Sequence, residues 1–422
     1  MDKQRYLLED KNYDEVFDFP YLKDDVVIRF LNSHTRVFFL VRGLPGSGKG
    51  PLGDLLHKHY TGSQIYWADS MFSGPDAPER TRETLKESHV VCQRKMEDYM
   101  LANVPVIINS NSNVCVWEIR PYLQLAAKYG YTVILAETCH KIQAEAKVLV
   151  QTNSRQLGVG YLQNRRRQWE ELYPAYTGWF LRPADGLFLF KRFCHISQLL
   201  TESGWRPAEV LHPEGHPFCL GRPCWFAQDL ADQKYCDSEE VKDAYGTVHT
   251  LNVIGYAITG GIALALVALD EAQTKLLGQP KTDEESLASL MAGCSIEEWT
   301  PTPCITKLSE IVRDEGHTPT MTPQPTRTVP ESISFIILGT CGKLAKFTLQ
   351  ETKKIKGLWS ALREKMLISN DGIGCKDKLK LEVANAYRAG MDILVLDRIL
   401  QLDSVFTGCY QPYSLPTRPR WR

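Results

Sequence analysis

A glycine-rich run at residues 43–50, with the sequence GLPGSGKG, carries the clearest chemical signal in this chain. Closely spaced glycines let successive backbone N–H groups turn inward around a phosphate, and a lysine at the end of the run can reach the outer phosphates. We therefore predict a phosphate-binding loop that takes ATP or GTP. The alternative is a tight turn that needs glycine only for its backbone conformation. The predicted nucleotide-binding residues are Gly43, Gly46, Ser47, Gly48, Lys49 and, further along the chain, Asp69.

Two features of the sequence predict weak metal binding. Gly50 stands where such a loop carries Ser or Thr, whose hydroxyl ligates Mg²⁺. The apolar run at residues 104–108 leads into residues 109–113, NSNSN, which offer amides and hydroxyls where kinases of this type place an acidic metal ligand. We therefore expect phosphate binding without a dedicated metal site.

Charged residues beyond the loop extend the prediction. Asp69 ends a predicted strand, where an aspartate can orient or deprotonate an attacking hydroxyl, and the alternative is a cap for the following turn. Arg155 and residues 165–167, RRR, follow where a lid would close over a triphosphate. The alternative for this charge run is a solvated helix face.

These residues need a strand, a loop and a helix to position them. An apolar run of strand length enters the glycine-rich loop, and leucines at helical spacing follow it. Strand-like and helix-like segments then alternate, which predicts an α/β fold with a P-loop NTPase-like, doubly wound parallel sheet. The predicted strands are residues 37–42, 64–69, 104–108 and 132–137, and the predicted helices are residues 82–102 and 117–129.

Length and composition limit the remaining classes of protein. The 422 residues are enough for two or three domains, and a net charge of −1 gives no overall attraction to nucleic acid or to an anionic membrane. The twelve cysteines lack the paired spacing of a zinc site, and the chain opens on charged residues. We expect a reduced, cytoplasmic protein.

An uncharged apolar stretch at residues 251–269 has about the length that spans a bilayer. A Thr-Gly-Gly sequence at its middle, residues 259–261, instead predicts a turn between two strands. We favour two buried strands and expect no transmembrane segment.

Four stretches in the same order resemble the 2′,3′-cyclic-nucleotide 3′-phosphodiesterase family of myelin and regenerating nerve. They are the loop with its strand, the strand that leads into residues 109–113, residues 172–181, LYPAYTGWFL, and residues 405–410, VFTGCY. The resemblance covers nearly the whole chain and is most specific in the first half. It implies a polynucleotide-kinase-like P-loop domain followed by a bilobed two-histidine phosphoesterase-like α/β domain.

The same resemblance implies hydrolysis of nucleoside 2′,3′-cyclic phosphates to 2′-phosphates, without a cofactor. In the family, two central strands each carry His-x-Thr. One histidine takes a proton from the attacking water, the other protonates the leaving 3′-oxygen, and the threonine hydroxyls hold the phosphoryl oxygens. The implied ligands are nucleotides or RNA with 2′,3′-cyclic ends.

Neither His-x-Thr motif is intact in this chain. The histidine positions fall on Phe218 and Phe335, and the threonine positions fall on Leu220 and Ile337. We therefore predict weak or lost phosphodiesterase activity, with His212 and His216 as the candidate substitutes. The alternative function is a catalytically silent protein, a pseudoenzyme, that binds nucleotides, RNA or a cytoskeletal partner.

The predicted domains follow the chain in order. They are a leader at residues 1–35, the P-loop domain at 36–171, the phosphoesterase-like domain at 172–412 with a proline-rich insert at about 300–332, and a tail at 413–422. No cysteine stands four residues from the end, so we expect no prenylation box.

Overall fold

A computed structural model describes residues 16–138, 146–202, 217–258, 262–279, 319–323, 330–340, 355–357, 359–361, 383–388 and 392–410. The chain divides into two compact units. The first contains Met1–Pro174, Asp243–Thr247 and Thr407–Arg422, and the second contains Ala175–Lys242 and Val248–Phe406. The division after Pro174 lies close to the predicted boundary at residue 172. The sequence did not predict that Asp243–Thr247 and Thr407–Arg422 belong to the first unit.

The first unit is built on a parallel sheet, which confirms the predicted α/β architecture. The strand order is β2-β3-β1-β4, and every pairing is parallel. The strands are β1 Val37–Arg42, β2 Gln64–Tyr66, β3 Val106–Asn109 and β4 Thr132–Glu137. All six residues of β1 are buried, as expected for a central strand that is covered on both faces.

Helices alternate with these strands and cover the sheet. They are α1 Pro20–Lys23, α2 Asp25–His34, α3 Lys49–His59, α4 Arg82–Leu101, α5 Val116–Tyr129, α6 Ala146–Thr152 and α7 Val159–Arg167. The second half of the predicted leader packs into this unit, because Val27, Phe30 and Leu31 are buried and the Tyr60 hydroxyl donates to the Tyr21 carbonyl at 2.6 Å.

The second predicted strand is shorter than residues 64–69. β2 ends at Tyr66, and Asp69 lies in a 3₁₀ turn, Ala68–Phe72. The chain leaves the sheet there because the Ala68 N–H donates to the Asn111 side chain at 2.8 Å instead of to a strand. The prediction that Asp69 ends a strand was therefore wrong, although Asp69 still follows that strand closely.

The second unit is built on an antiparallel sheet. Its strands run in the order β11-β12-β5-β6-β10-β8-β7, and β12 also pairs with β7, so the sheet closes on itself. Its strands are β5 Tyr176–Leu181, β6 Phe218–Pro223, β7 Val248–Ile258, β8 Ile262–Ala268, β9 Thr320–Pro323, β10 Ile333–Thr340, β11 Val383–Arg388 and β12 Asp392–Cys409.

Helices of five to twenty residues accompany this sheet. They are α8 Pro183–Glu202, α9 Leu230–Asp237, α10 Glu239–Ala244, which ends in the first unit, and α11 Glu271–Lys275. Most of the predicted proline-rich insert lies outside the described residues, and so does the whole of the predicted tail.

The apolar stretch at residues 251–269 forms the strand pair that the sequence predicts. β7 and β8 pair antiparallel, with Ala257 opposite Leu264. β8 is almost wholly buried, and β7 is buried from Val253 to Ile258. Within the described part of the chain, no helix is both long and apolar enough to cross a bilayer.

Candidate functional site

A cleft of about 680 Å³ lies in the first unit, beside segments that follow the carboxyl ends of three parallel strands. The glycine-rich loop follows β1, the 3₁₀ turn follows β2, and residues 110–113 follow β3. In open parallel sheets this edge is where ligands commonly bind. The loop between α6 and α7 completes the wall.

The glycine-rich loop adopts a conformation that requires glycine. Gly46 and Gly48 have φ angles of 87° and 92°, in the left-handed region. A Cβ atom on Gly46 would also lie 2.5 Å from the Leu149 carbonyl oxygen of α6. Helix α3 begins immediately afterwards at Lys49, and the first amides of a helix have no acceptor within it. The loop therefore presents the amino end of α3 to the cleft.

Side chains fix the loop from both sides. The Lys49 ammonium donates to the Leu44 carbonyl at 3.0 Å and so spans the loop. The Ser47 hydroxyl lies 2.5 Å from the Thr138 hydroxyl, and the Thr152 hydroxyl donates to the Gly46 carbonyl at 2.7 Å. Gly46, Gly48 and Lys49 line the cleft. The side chain of Ser47 instead faces the protein interior.

The polar run after β3 is used to build the cleft wall. Asn109 accepts from Asn113 at 3.0 Å, and Asn111 donates to the Tyr122 hydroxyl at 3.0 Å. The Ser110 hydroxyl donates to the Lys49 carbonyl at 3.2 Å. These amides and hydroxyls are therefore engaged with protein groups.

The residues at the cleft do not fit a dedicated Mg²⁺ site. Gly50 has no hydroxyl, and the Glu118 carboxylate accepts from two backbone amides at the start of α5 as well as from Arg165. Among the described residues, no group of three or more His, Cys, Asp and Glu side chains could hold a metal ion. We therefore derive no step that uses a metal.

Asp69 lies on the cleft, but it is bonded to arginines. Its two carboxylate oxygens accept from Arg80 and from Arg155, each at 2.8 Å. The sequence predicts a role for Arg155 but gives no signal for Arg80. No local pattern marks Arg80, because its contact depends on how the segment before α4 folds back onto the 3₁₀ turn.

The predicted lid arginines separate in the structure. Arg165 lines the cleft, and its guanidinium donates to Glu118 at 2.7 Å. Arg166 and Arg167 are exposed on α7 and do not line the cleft. The solvated-face interpretation thus describes two of the three arginines.

A buried ion pair at the end of the sheet was also missed. Arg42 is fully buried, donates to Glu137 at 2.5 Å and to the Asn113 carbonyl at 2.8 Å, and lies over the Trp169 ring at 4.3 Å from its centroid. Arg42 and Glu137 stand at the ends of adjacent strands, so the sequence register could have suggested the pair. This pair holds the segment after α7 against the sheet.

In the second unit, the two strands on which the sequence comparison places the His-x-Thr positions are direct neighbours. β6 and β10 pair antiparallel, with Ile336 opposite Cys219. Because side chains alternate along a strand, the residues on either side of this pair lie together on one face of the sheet. Those residues are Phe218, Leu220, Phe335 and Ile337.

That face is packed with apolar side chains. The Phe218 ring stacks on Tyr176 and Phe180, with centroids 4.8 Å and 5.3 Å apart. Phe335 belongs to a buried cluster against which Leu220 and Ile337 pack. The Lys356 ammonium lies 6.0 Å from the Phe335 ring centroid, and burial lowers the pKa of this lysine.

The described histidines of the second unit, His195 and His249, do not lie on this face. His249 lies on β7 with its ring 6.3 Å from that of Trp179, which stands opposite Cys219 and so belongs to the other face of the sheet. Burial lowers the pKa of His249. His195 is exposed on α8, and the candidate substitutes His212 and His216 lie outside the described residues.

The fold and the site together define a two-unit α/β protein, with a glycine-rich loop on a parallel sheet and a separate antiparallel sheet. No protein-family model matches the chain. Two curated relatives are the 2′,3′-cyclic-nucleotide 3′-phosphodiesterases of Mus musculus and Rattus norvegicus. They are 25% and 24% identical over 315 residues, which is 66% of this chain and 72% of each relative. The chain is therefore similar to these phosphodiesterases over about two thirds of its length.

Two further similarities cover a smaller part of the chain or have a lower sequence identity. NEDD4-binding protein 2 of Homo sapiens is 32% identical over 101 residues, which is 24% of this chain but 6% of that protein. The crystal structure of a fungal RNA kinase aligns over 88% of this chain and 99% of its own, with 10% identity and a TM-score of 0.25. That score is too low to support an argument about the fold.

Proposed function

We propose that this protein is a member of the 2′,3′-cyclic-nucleotide 3′-phosphodiesterase family that binds the phosphates of ATP or GTP and has lost the phosphodiesterase reaction. Its first unit would act as a P-loop nucleotide-binding domain. Its second unit would keep the phosphoesterase-like sheet without the acid and base. The observation that carries the proposal is the apolar packing of Phe218 and Phe335 on two adjacent strands.

Loss of the reaction follows from proton chemistry. Hydrolysis of a cyclic phosphate needs one group that accepts a proton from water and one that donates a proton to the leaving oxygen. Phenylalanine can do neither, and the aliphatic side chains of Leu220 and Ile337 cannot donate hydrogen bonds to phosphoryl oxygens. Each general acid or base typically contributes about 10²–10⁴-fold to rate, so loss of both removes most of the catalysis.

Phosphate binding is supported by the first unit. The loop places two left-handed glycines and the amino end of α3 at the cleft, and Lys49 lines the same cleft. Partial positive charge at a helix amino end and a nearby ammonium both favour an anion. Because Gly50 offers no hydroxyl and the Asp69 and Glu118 carboxylates are bonded to arginines, we propose that nucleotide binding depends little on the metal.

The first experiment measures turnover. Purified full-length protein is incubated with 2′,3′-cyclic NADP and 2′,3′-cyclic AMP, beside the mouse relative as positive control, and we expect no product. Turnover that is abolished by His212→Ala or His216→Ala would contradict the proposal, because it would show that a histidine before β6 supplies the chemistry.

The second experiment measures ATP binding by calorimetry with and without Mg²⁺. We expect Lys49→Ala to weaken binding by roughly 10- to 100-fold, since hydrogen bonds to charged groups contribute about 1.5–3 kcal/mol. Lys58→Ala is the matched control, because Lys58 is exposed in the last turn of the same helix and does not line the cleft. Equal affinities for the two variants would contradict a phosphate-binding loop.

A further inference from the structure

The carboxylate of Asp69 joins three segments of the cleft wall. Oδ1 accepts from the Arg80 guanidinium and Oδ2 accepts from the Arg155 guanidinium, each at 2.8 Å. The two arginines stand 11 and 86 residues away from Asp69 along the chain. Both carboxylate oxygens therefore receive charge-assisted hydrogen bonds from different loops.

Contacts outside this ion triad fix the approach of Arg80. Its guanidinium lies over the Phe72 ring, 4.3 Å from the centroid. Its main chain precedes Thr81, the N-cap of α4, whose side chain accepts from the Thr84 amide in a capping box. The position of Arg80 is thus set by the start of a long helix and by an aromatic side chain of the 3₁₀ turn.

Arg155 belongs to a loop that is attached to the glycine-rich loop. Asn153 is buried, and its side chain donates to the Leu149 and Val150 carbonyls and accepts from the Leu157 amide at 2.7 Å. The preceding residue, Thr152, donates to the Gly46 carbonyl at 2.7 Å. Arg155 therefore belongs to a segment that is hydrogen-bonded to the glycine-rich loop, which is proposed to bind the phosphates.

We propose that Asp69 is a positioning residue, which holds Arg80 and Arg155 in place to bind the phosphates of the nucleotide in this cleft. This inference rests on the proposed function of the glycine-rich loop. Asp69 is a poor candidate for a general base, because accepting a proton would break one of its two charge-assisted bonds. Each guanidinium carries five N–H donors, and the side chains of Arg80 and Arg155 are 41% and 34% exposed.

Because Asp69 is negatively charged, the direction in which its substitution changes the affinity for a polyanion tests this inference. Asp69→Asn raises the positive charge of the cleft. If Asp69 only neutralised the arginines, this variant would bind a polyanion more tightly. If Asp69 positions them, the variant binds more weakly, because two flexible guanidinium groups lose the anchor that orients them.

The experiment titrates full-length protein with ATP and, separately, with inorganic tripolyphosphate. We expect Asp69→Asn to weaken both affinities by about fivefold to thirtyfold, the scale of two partly exposed arginine contacts. The same substitution in an Arg80→Ala/Arg155→Ala background should change nothing further. Asp76→Asn is the matched control, since Asp76 is an exposed carboxylate of the same region that does not line the cleft.

Unchanged or tighter binding by Asp69→Asn overturns the inference, and so does a weakening that persists without the two arginines. Arg155→Lys provides a second variant, because it keeps the charge but loses the planar fork, and we expect it to weaken binding as well. If Lys49→Ala is neutral while the Asp69 series behaves as expected, only the phosphate-loop proposal fails. If neither polyanion binds the wild-type protein, both proposals fail.

Discussion

The cleft of the first unit and the β6–β10 face of the second unit differ in what occupies the positions where chemistry is expected. The cleft keeps a lysine, two left-handed glycines and paired arginines around a volume of about 680 Å³. The β6–β10 face carries aromatic and aliphatic side chains in contact with one another. Charged and polar groups line the first region, whereas phenylalanines stand at the two predicted histidine positions of the second.

This difference shows that apolar packing alone can maintain a sheet at positions where chemistry was expected. Phe218 and Phe335 are 6% and 1% exposed, and burying such a side chain contributes about 1.5–3 kcal/mol. A phenylalanine at these positions therefore adds to the core, whereas a histidine and a threonine would need hydrogen-bond partners there. The fold at this face therefore does not depend on reactive side chains.

The largest expected effect tests the second region. Phe335→Ala should destabilise the second unit by about 3–5 kcal/mol, because it leaves a cavity in a buried cluster. Amide hydrogen exchange of β6 and β10 in urea measures this unit by itself. Trp117→Ala, at a side chain that is 68% exposed on α5, is the control and should change little. A loss below about 1 kcal/mol would mean that Phe335 does not support the core.

The next prediction tests the first region with two glycines of one loop. Gly46→Ala should destabilise by about 1–3 kcal/mol, because its φ of 87° disfavours a side chain and its Cβ would meet the Leu149 carbonyl. Gly50→Ala should instead stabilise by about 0.5–1 kcal/mol, since a Cβ there meets nothing within 4 Å and Gly50 lies in the first turn of α3.

Thermal unfolding of both variants measures this contrast. Equal shifts in the two melting temperatures would contradict it, because the loop would then not depend on glycine at one position more than at the other.

The architecture could be predicted from the sequence more accurately than the contacts between distant side chains. β1 and β4 have the predicted bounds, because continuous apolar runs of strand length have few alternatives in an alternating pattern. β7 and β8 were predicted from a turn signal within an apolar stretch, and the structure confirms them. Local pattern sufficed where the deciding interaction is burial.

Contacts between distant segments could not be predicted in the same way. Arg80 and Arg155 reach Asp69 from positions 11 and 86 residues away, and the asparagines after β3 bond to helices and to one another. Such pairs depend on tertiary geometry that no spacing along the chain encodes. The end of β2 was misjudged for the same reason, since a side chain of Asn111 captures the next amide.

A smaller effect tests whether the first region lacks a metal ligand. Gly50→Ser restores a hydroxyl at a position with open space, so it should leave stability nearly unchanged. We expect Mg²⁺ to strengthen ATP binding by this variant by roughly 2- to 13-fold more than in the wild type, the scale of a single interaction of about 0.5–1.5 kcal/mol. Calorimetry with Mg²⁺ and with EDTA measures the difference. Gly50→Ala is the control without a hydroxyl, and an equal gain in that variant would contradict the prediction.

The smallest expected effect concerns His249, an imidazole that the second unit still contains. Burial lowers its pKa from the ordinary value of 6.5, and the nearby Asp270 carboxylate opposes this in part. Below pH 6.5 the unfolded chain therefore takes up the proton more readily than the folded protein, so the stability of the second unit should fall as the pH falls. Glu240, Glu271 and Lys275 line the same groove.

Hydrogen exchange of β7 at pH 7.5 and pH 5.5 measures this slope. His249→Gln should reduce it, whereas His195→Gln, at an exposed position on α8, should leave it unchanged. A second unit that gains stability as the pH falls would show that His249 is held as a cation. An imidazole that is charged when folded could serve as an acid, and the second unit would then hold a proton donor on the face opposite Phe218 and Phe335.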